Sequence, residues 1–207
     1  MTLISEIFEQ PQRLTDLLFQ QRQTVEEIAR VIHTHQVEYV FLAARGSSDN
    51  AARYASYLWG ARNQLPVALA TPSLFTYYKA PPRLKNALVV GISQSGQSPD
   101  ILKVMEEGKR QHCLTLAITN SPASPLGHTA DVTLDILSGP ENAVAATKTY
   151  TAQLMAIAML SVALSGSSNL WAALEKVPGW IAKTLNQSEE IAQACQRYRN
   201  MQQCVVL

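Results

Sequence analysis

Leu14, Leu17, Leu18, Val25, Ile28 and Ile32 recur every three or four residues, which gathers apolar side chains on one face of a helix. The pattern predicts helix up to about residue 35, with Pro11 where a helix can start. Beyond it, short apolar runs alternate with helical stretches. Residues 38–42, 66–70, 87–92, 114–119 and 132–137 read as strands. Residues 51–59, a short piece at 73–79 and residues 99–110 read as the helices between them, and a turn-rich connection joins the fourth strand to the fifth. Two further helices are predicted, over about 147–164 and 169–198, the second broken near Pro178-Gly179.

Strands separated by helices imply an α/β fold, a five-stranded parallel sheet with helices on both faces. Leu88-Val89-Val90 and Leu116-Ala117-Ile118 are apolar at consecutive positions, as strands covered on both sides require. The expected architecture is a three-layer sandwich of the flavodoxin type, with a helical segment over 1–36, the sheet domain over 37–165 and C-terminal helices over 166–207. Residues 201–207 look like the start of another strand. An open apolar strand is a liability at the end of a chain, so the expectation is a piece of a longer protein. In open parallel sheets ligands collect beyond the carboxyl ends of the strands, and the loops leaving those ends are where chemistry is sought.

Composition narrows the choice. Of 207 residues, 47% are apolar and only 16% charged, a low charge for a solvated monomer surface and an argument for a buried interface. Net charge is +1, and Lys109-Arg110 is the longest basic cluster, which argues against nucleic-acid binding by phosphate neutralisation. Cys113, Cys195 and Cys204 are far apart, imply neither zinc nor a disulfide framework, and suit a reducing cytoplasm, two as core thiols and one near the chain end. The apolar run 154–164 falls short of the ~20 residues of a membrane span. The N-terminus carries no signal pattern. The expectation is a soluble cytoplasmic protein with no metal and no cofactor.

Three loops carry candidate chemistry. In Ser93-Gln94-Ser95-Gly96-Gln97-Ser98-Pro99 a strand ends, hydroxyls cluster and a helix begins with proline in its first turn. Unpaired amides and the dipole at a helix start favour an anion, to which Ser93, Ser95 and Ser98 can donate, with Gln94 as an amide donor. An ordinary N-cap explains one serine, not three. In Arg45-Gly46-Ser47-Ser48-Asp49, Ser47 and Ser48 could donate to a phosphate or sugar hydroxyl; a cap by Ser48 or Asp49 is the plain alternative. In the stretch 138–148, Glu141 and Lys148 could serve as acid/base or binding groups, though a structural or solvated pair is the commoner outcome.

Taken with residues 6–11 (Glu6-Ile7-Phe8-Glu9-Gln10-Pro11) and the run 144–154 after Gly139-Pro140-Glu141, these loops resemble the sugar isomerase (SIS) domain family, in family order over nearly the whole chain. Within it they are most similar to the first of two such domains in the isomerase half of glucosamine-6-phosphate synthases. The resemblance implies a phosphosugar ligand of the fructose 6-phosphate or glucosamine 6-phosphate class. It implies phosphate on Ser93, Gln94, Ser95 and Ser98, and sugar contacts from Ser47, Ser48 and Val144. Ser98 stands for the family's usual threonine, Gln97 for a glutamate and Pro99 for a small residue. Arg45 replaces a smaller residue of the synthases and points toward their deaminase or isomerase relatives.

The family's catalytic base, lysine and ring-opening histidine belong to the second SIS domain, and the glutaminase domain's nucleophilic cysteine has no counterpart here. The expected role is therefore a substrate anchor in an amino-sugar or ketose 6-phosphate isomerase, aminotransferase or deaminase, paired with a second SIS domain or a second copy. The alternative is a phosphosugar-sensing module without catalysis. Against it, the first ~35 residues are too short and too weakly basic for the DNA-binding segment such regulators carry.

Overall fold

The structure is a computed structural model that describes residues 2–205. Helix α1 (Leu3–Gln20) begins at a capping box in which the Ser5 amide donates to Thr2 Oγ1 and the Thr2 amide to Ser5 Oγ. Pro11 thus lies inside α1 and does not start it. Proline has no N–H to give the Ile7 carbonyl, and Gln10 Nε2 donates to that oxygen instead, at 3.0 Å. A break at Gln21 leads into α2 (Arg22–Thr34).

The strands are β1 (Tyr39–Ala44), β2 (Val67–Leu69), β3 (Ala87–Ile92), β4 (Leu114–Thr119) and β5 (Val132–Asp135). Between them lie α3 (Ser47–Asn63), α4 (Ser73–Thr76), α5 (Pro99–Arg110) and α6 (Pro125–Thr129), the last in what the sequence suggested was only a turn-rich connection. All strand pairs are parallel, in the order β2-β1-β3-β4-β5. Side chains alternate between the faces as the pleat requires. Val40, Leu42, Ala44, Leu88, Val90 and Ile92 join one core with α1, α2 and α3, while Phe41, Ala43 and Val89 join a second with Ile101, Val104 and Met105 of α5.

Helix α7 (Lys148–Ser165) runs through the first core, buried on nearly every side against α1, α2 and α3, which is why the run 154–164 is apolar all round. Trp59 Nε1 donates to the Ile157 carbonyl at 3.1 Å, and Asn63 bonds both the carbonyl and the hydroxyl of Ser161. Among the described residues no helix is long and apolar enough to cross a membrane.

The C-terminal part differs from expectation. It forms α8 (Ser168–Leu174), α9 (Val177–Leu185), α10 (Ser188–Cys195) and a 3-10 turn (Gln196–Tyr198). The first break falls at Glu175-Lys176, just before Pro178, because proline is tolerated in the opening turn of a helix. Cys113 is buried, but Cys195 is exposed and is not the core thiol expected. Residues 201–205 are exposed and irregular, without the expected strand; the rest of that expectation, Val206 and Leu207, lies outside the described residues.

Candidate functional site

The strand order sets the site. From β1 the chain crosses to β2 on one side and then returns to β3 on the other, so the connections diverge between β1 and β3. A crevice opens at the carboxyl ends of strands where the order reverses. Its two walls are the loops read from the sequence: Arg45-Gly46 before α3, and residues 93–98 before α5.

The loop after β3 is pinned to β4 and to the chain beyond it. The Ser93 amide donates to the Ile118 carbonyl (3.1 Å), the Asn120 amide to that of Gln94 (3.2 Å) and the Leu126 amide to that of Gly96 (3.1 Å). Buried Ser93 accepts the Gly96 N–H at Oγ (3.1 Å), and exposed Ser95 accepts the Gln97 N–H at 3.4 Å. Both hydroxyls keep their own protons free to donate. Ser98 stands at the N-cap position of α5, yet its side chain makes no capping hydrogen bond. The capping explanation therefore fails for Ser98. Among the described residues its hydroxyl and the first amides of α5 have no hydrogen-bond partner, and α5 starts at the carboxyl edge of the sheet.

Across the crevice, α3 starts at Ser47, four residues earlier than the apolar pattern suggested. Its N-cap is Gly46, at φ +59°, so neither Ser48 nor Asp49 plays the capping part considered for it. Asp49 pairs with Arg53 (3.1 Å). Ser47 is exposed and Ser48 buried. Arg45 reaches over to Asp100 in the first turn of α5, with Nη2 at 2.7 Å from Oδ2, and ties the two walls together. Both partners are well exposed, so the pair contributes little stability.

The third loop, residues 136–147, is shaped from both sides. Asn120 Nδ2 donates to the Gly139 carbonyl (2.8 Å), while Oδ1 accepts the amide (3.0 Å) and hydroxyl (2.8 Å) of Ser138. From α1, Glu6 accepts the Asn142 and Ala143 amides. Glu141 accepts the amides of Thr147 (2.9 Å) and Thr149 (3.2 Å) and both their hydroxyls, which makes it the cap of α7. Lys148 is fully buried and pairs with Glu9 at 2.8 Å, a structural ion pair that does not involve Glu141. The hydrogen bond from Lys148 holds the Glu9 carboxyl below its ordinary value; burial opposes this and Arg13 reinforces it. Val144 stands fully exposed at the tip.

Gln94 shares a cleft of about 580 Å³ with Asn120, Ser121, Asp135, Glu141 and Arg13. A cleft of similar size between Lys109, His112 and Asp131 lies at the opposite, amino edge of β4 and β5. Among the described residues no cluster of His, Cys, Asp or Glu could hold a metal ion. Sequence reading missed Glu6, Glu9, Arg13 and Asn120 as builders of the site. The two glutamates stand in the quoted stretch 6–11, and the one signal was an acid at position 6 on the helix face that Leu14, Leu17 and Leu18 share.

Two helix starts lined with hydroxyls face the switch point of an open parallel sheet, which defines an α/β domain with its candidate site at the carboxyl edge. The SIS domain family matches residues 35–163, and the chain belongs to that family. It is 34% identical over 197 residues to the glutamine–fructose-6-phosphate aminotransferase (isomerizing) of Aquifex aeolicus, covering 95% of this chain and 33% of that protein. A Silicibacter pomeroyi structure described as a phosphosugar isomerase superposes with a TM-score of 0.83 at 39% identity, over 86% of this chain and 55% of that one. The C-terminal domain of the Francisella tularensis glucosamine-fructose-6-phosphate aminotransferase shares the fold, with a TM-score of 0.78 at 23% identity, over 95% of this chain and 59% of that one. The chain thus spans about a third of the length of the aminotransferase it matches.

Proposed function

We propose that this SIS domain seats a phosphosugar of the fructose 6-phosphate or glucosamine 6-phosphate class and anchors it for an isomerase, aminotransferase or deaminase. The carrying observation is the start of α5, where the Ser98 hydroxyl makes no capping bond and, among the described residues, no side chain accepts from the first amides. Ser93, Gln94, Ser95 and Ser98 hold the phosphate, where the helix dipole also favours negative charge. Ser47, Ser48 and Val144 meet the sugar. The names of the aminotransferase and isomerase relatives support this class of ligand.

The anchor does not carry the base. Proton transfer between C1 and C2 needs a group free to approach the substrate carbon. Glu141 is engaged in capping α7 and Lys148 is enclosed against Glu9. A second SIS domain or a second copy completes the site, and the full exposure of Val144 at the loop tip supports this.

Ser95→Ala and Ser98→Ala are each expected to lower fructose 6-phosphate affinity by about 1–3 kcal/mol, as for hydrogen bonds to a charged group. Calorimetric titration measures this. The melting temperature of Ser98→Ala stays at the wild-type value, because that hydroxyl caps nothing in the fold. Unchanged affinity in both variants contradicts the phosphate seat, and isomerisation by the purified chain contradicts the anchor-only role.

A further inference from the structure

Glu6 is a carboxylate with no exposed surface, set on the same face of α1 as Leu14, Leu17 and Leu18. A charge so placed persists only with hydrogen-bond partners. Its partners are two successive main-chain amides, Asn142 at 2.7 Å and Ala143 at 3.2 Å. Bonds to backbone fix the path of a chain whatever its side chains are. One turn further along α1, Glu9 holds Lys148. Two carboxylates three residues apart on one helix thus grip both ends of the segment 143–148. Between them Val144, Ala145 and Ala146 are exposed and carry no polar side-chain atom with which to hold themselves. Residues 139–142, on the near side of that grip, line the cleft that Gln94 enters from the phosphate loop.

We propose that Glu6 is a positioning residue: α1 sets where the 143–147 segment stands relative to the phosphate loop, and so governs recognition of the sugar but not of the phosphate. The inference rests on the reading of Val144 as a sugar contact. It separates two functions that the fold keeps on different elements. Phosphate affinity belongs to the loop after β3, which is pinned to β4 and the chain beyond it. Discrimination of the sugar belongs to a loop whose shape depends on a helix more than 130 residues away in sequence.

Glu6→Gln tests this. The amide keeps one acceptor oxygen but turns an NH2 donor toward the second backbone N–H, so one of the two grips is lost. In the full chain, titrations with fructose 6-phosphate and with inorganic phosphate give separate readouts. Fructose 6-phosphate affinity is expected to fall about tenfold, the loss of one charge-assisted hydrogen bond, while inorganic phosphate binds within about twofold of wild type. Amide hydrogen exchange at Asn142 and Ala143 accelerates in the variant. Equal losses for both ligands, or unchanged affinity for both despite faster exchange, overturn the proposal. Failure of the wild-type chain to bind either ligand overturns the phosphate seat instead.

Should Glu6→Gln not fold, exchange in the unmodified chain decides the matter. Fructose 6-phosphate must slow exchange over residues 143–147 while inorganic phosphate leaves it unchanged. Slowing by both ligands, or by neither, overturns the inference.

Discussion

A chain carrying Glu9→Gln is expected to lose roughly 3 kcal/mol of folding free energy at neutral pH, the low end of the cost of leaving a buried charge unpaired. The denaturant midpoint falls while the slope stays unchanged. The reason is the position of Lys148, fully buried at the first residue of α7, where the helix dipole already opposes a cation. Glu9 neutralises that ammonium at 2.8 Å. The reverse substitution, Lys148→Met, costs less, because the Glu9 side chain keeps 27% of its surface exposed and retains Arg13 at 3.1 Å. Equal costs for the two substitutions would contradict this asymmetry.

Protonation has the same effect as glutamine. Because the folded Glu9 carboxyl lies below its ordinary value of 4.5, its contribution is complete above that pH and is lost as pH falls through the depressed value. The acid limb of stability is accordingly steeper in wild type than in Glu9→Gln.

Gly96→Ala is the second large effect. At φ +63° an alanine costs roughly 1–3 kcal/mol in backbone strain. Its Cβ would also overlap Ser124 Oγ and come within 2.6 Å of Ser124 Cβ, and displacing a packed neighbour adds about 1–3 kcal/mol. The Ser124→Gly background separates the two costs. It removes the clash and, at the N-cap of α6, sacrifices only a few tenths of a kcal/mol. A double-mutant cycle by chemical denaturation should show part of the Gly96→Ala penalty vanish in that background. Additive effects would mean that the two residues do not compete for space. Phosphate binding falls in Gly96→Ala as well, since the loop amides are aimed by this turn.

The sheet was most legible where burial is two-sided. Residues 87–92 and 114–119 were read with the bounds the structure has, because apolar residues at consecutive positions leave little freedom in placing a covered strand. Edge strand β2 is shorter than read, since it pairs on one side only. The start of α3 was missed because polar Ser47, Ser48 and Asp49 give no apolar period, although they occupy its first turn. Pro11 misled for a related reason: the compensating donor is the neighbouring Gln10 side chain, which no propensity rule anticipates.

The three loops were found from hydroxyls and glycines after strands. Their convergence follows from the order β2-β1-β3-β4-β5, which sequence spacing does not encode. Glu6 and Glu9 were missed as site builders for the same reason, the one signal being an acid at position 6 on the apolar face of the helix. Their partners, Asn142, Ala143 and Lys148, lie more than 130 residues away, and a carboxylate on a helix reads as solvated until the packing is known.

The central claim is tested most directly by following backbone amide resonances of the 207-residue chain during titration with fructose 6-phosphate. Saturable shifts are expected at Ser95, Gly96, Gln97 and Ser98 and at Asp100 and Ile101 in the first turn of α5. Shifts confined to other parts of the chain, or none at concentrations that saturate a related phosphosugar protein, would contradict it.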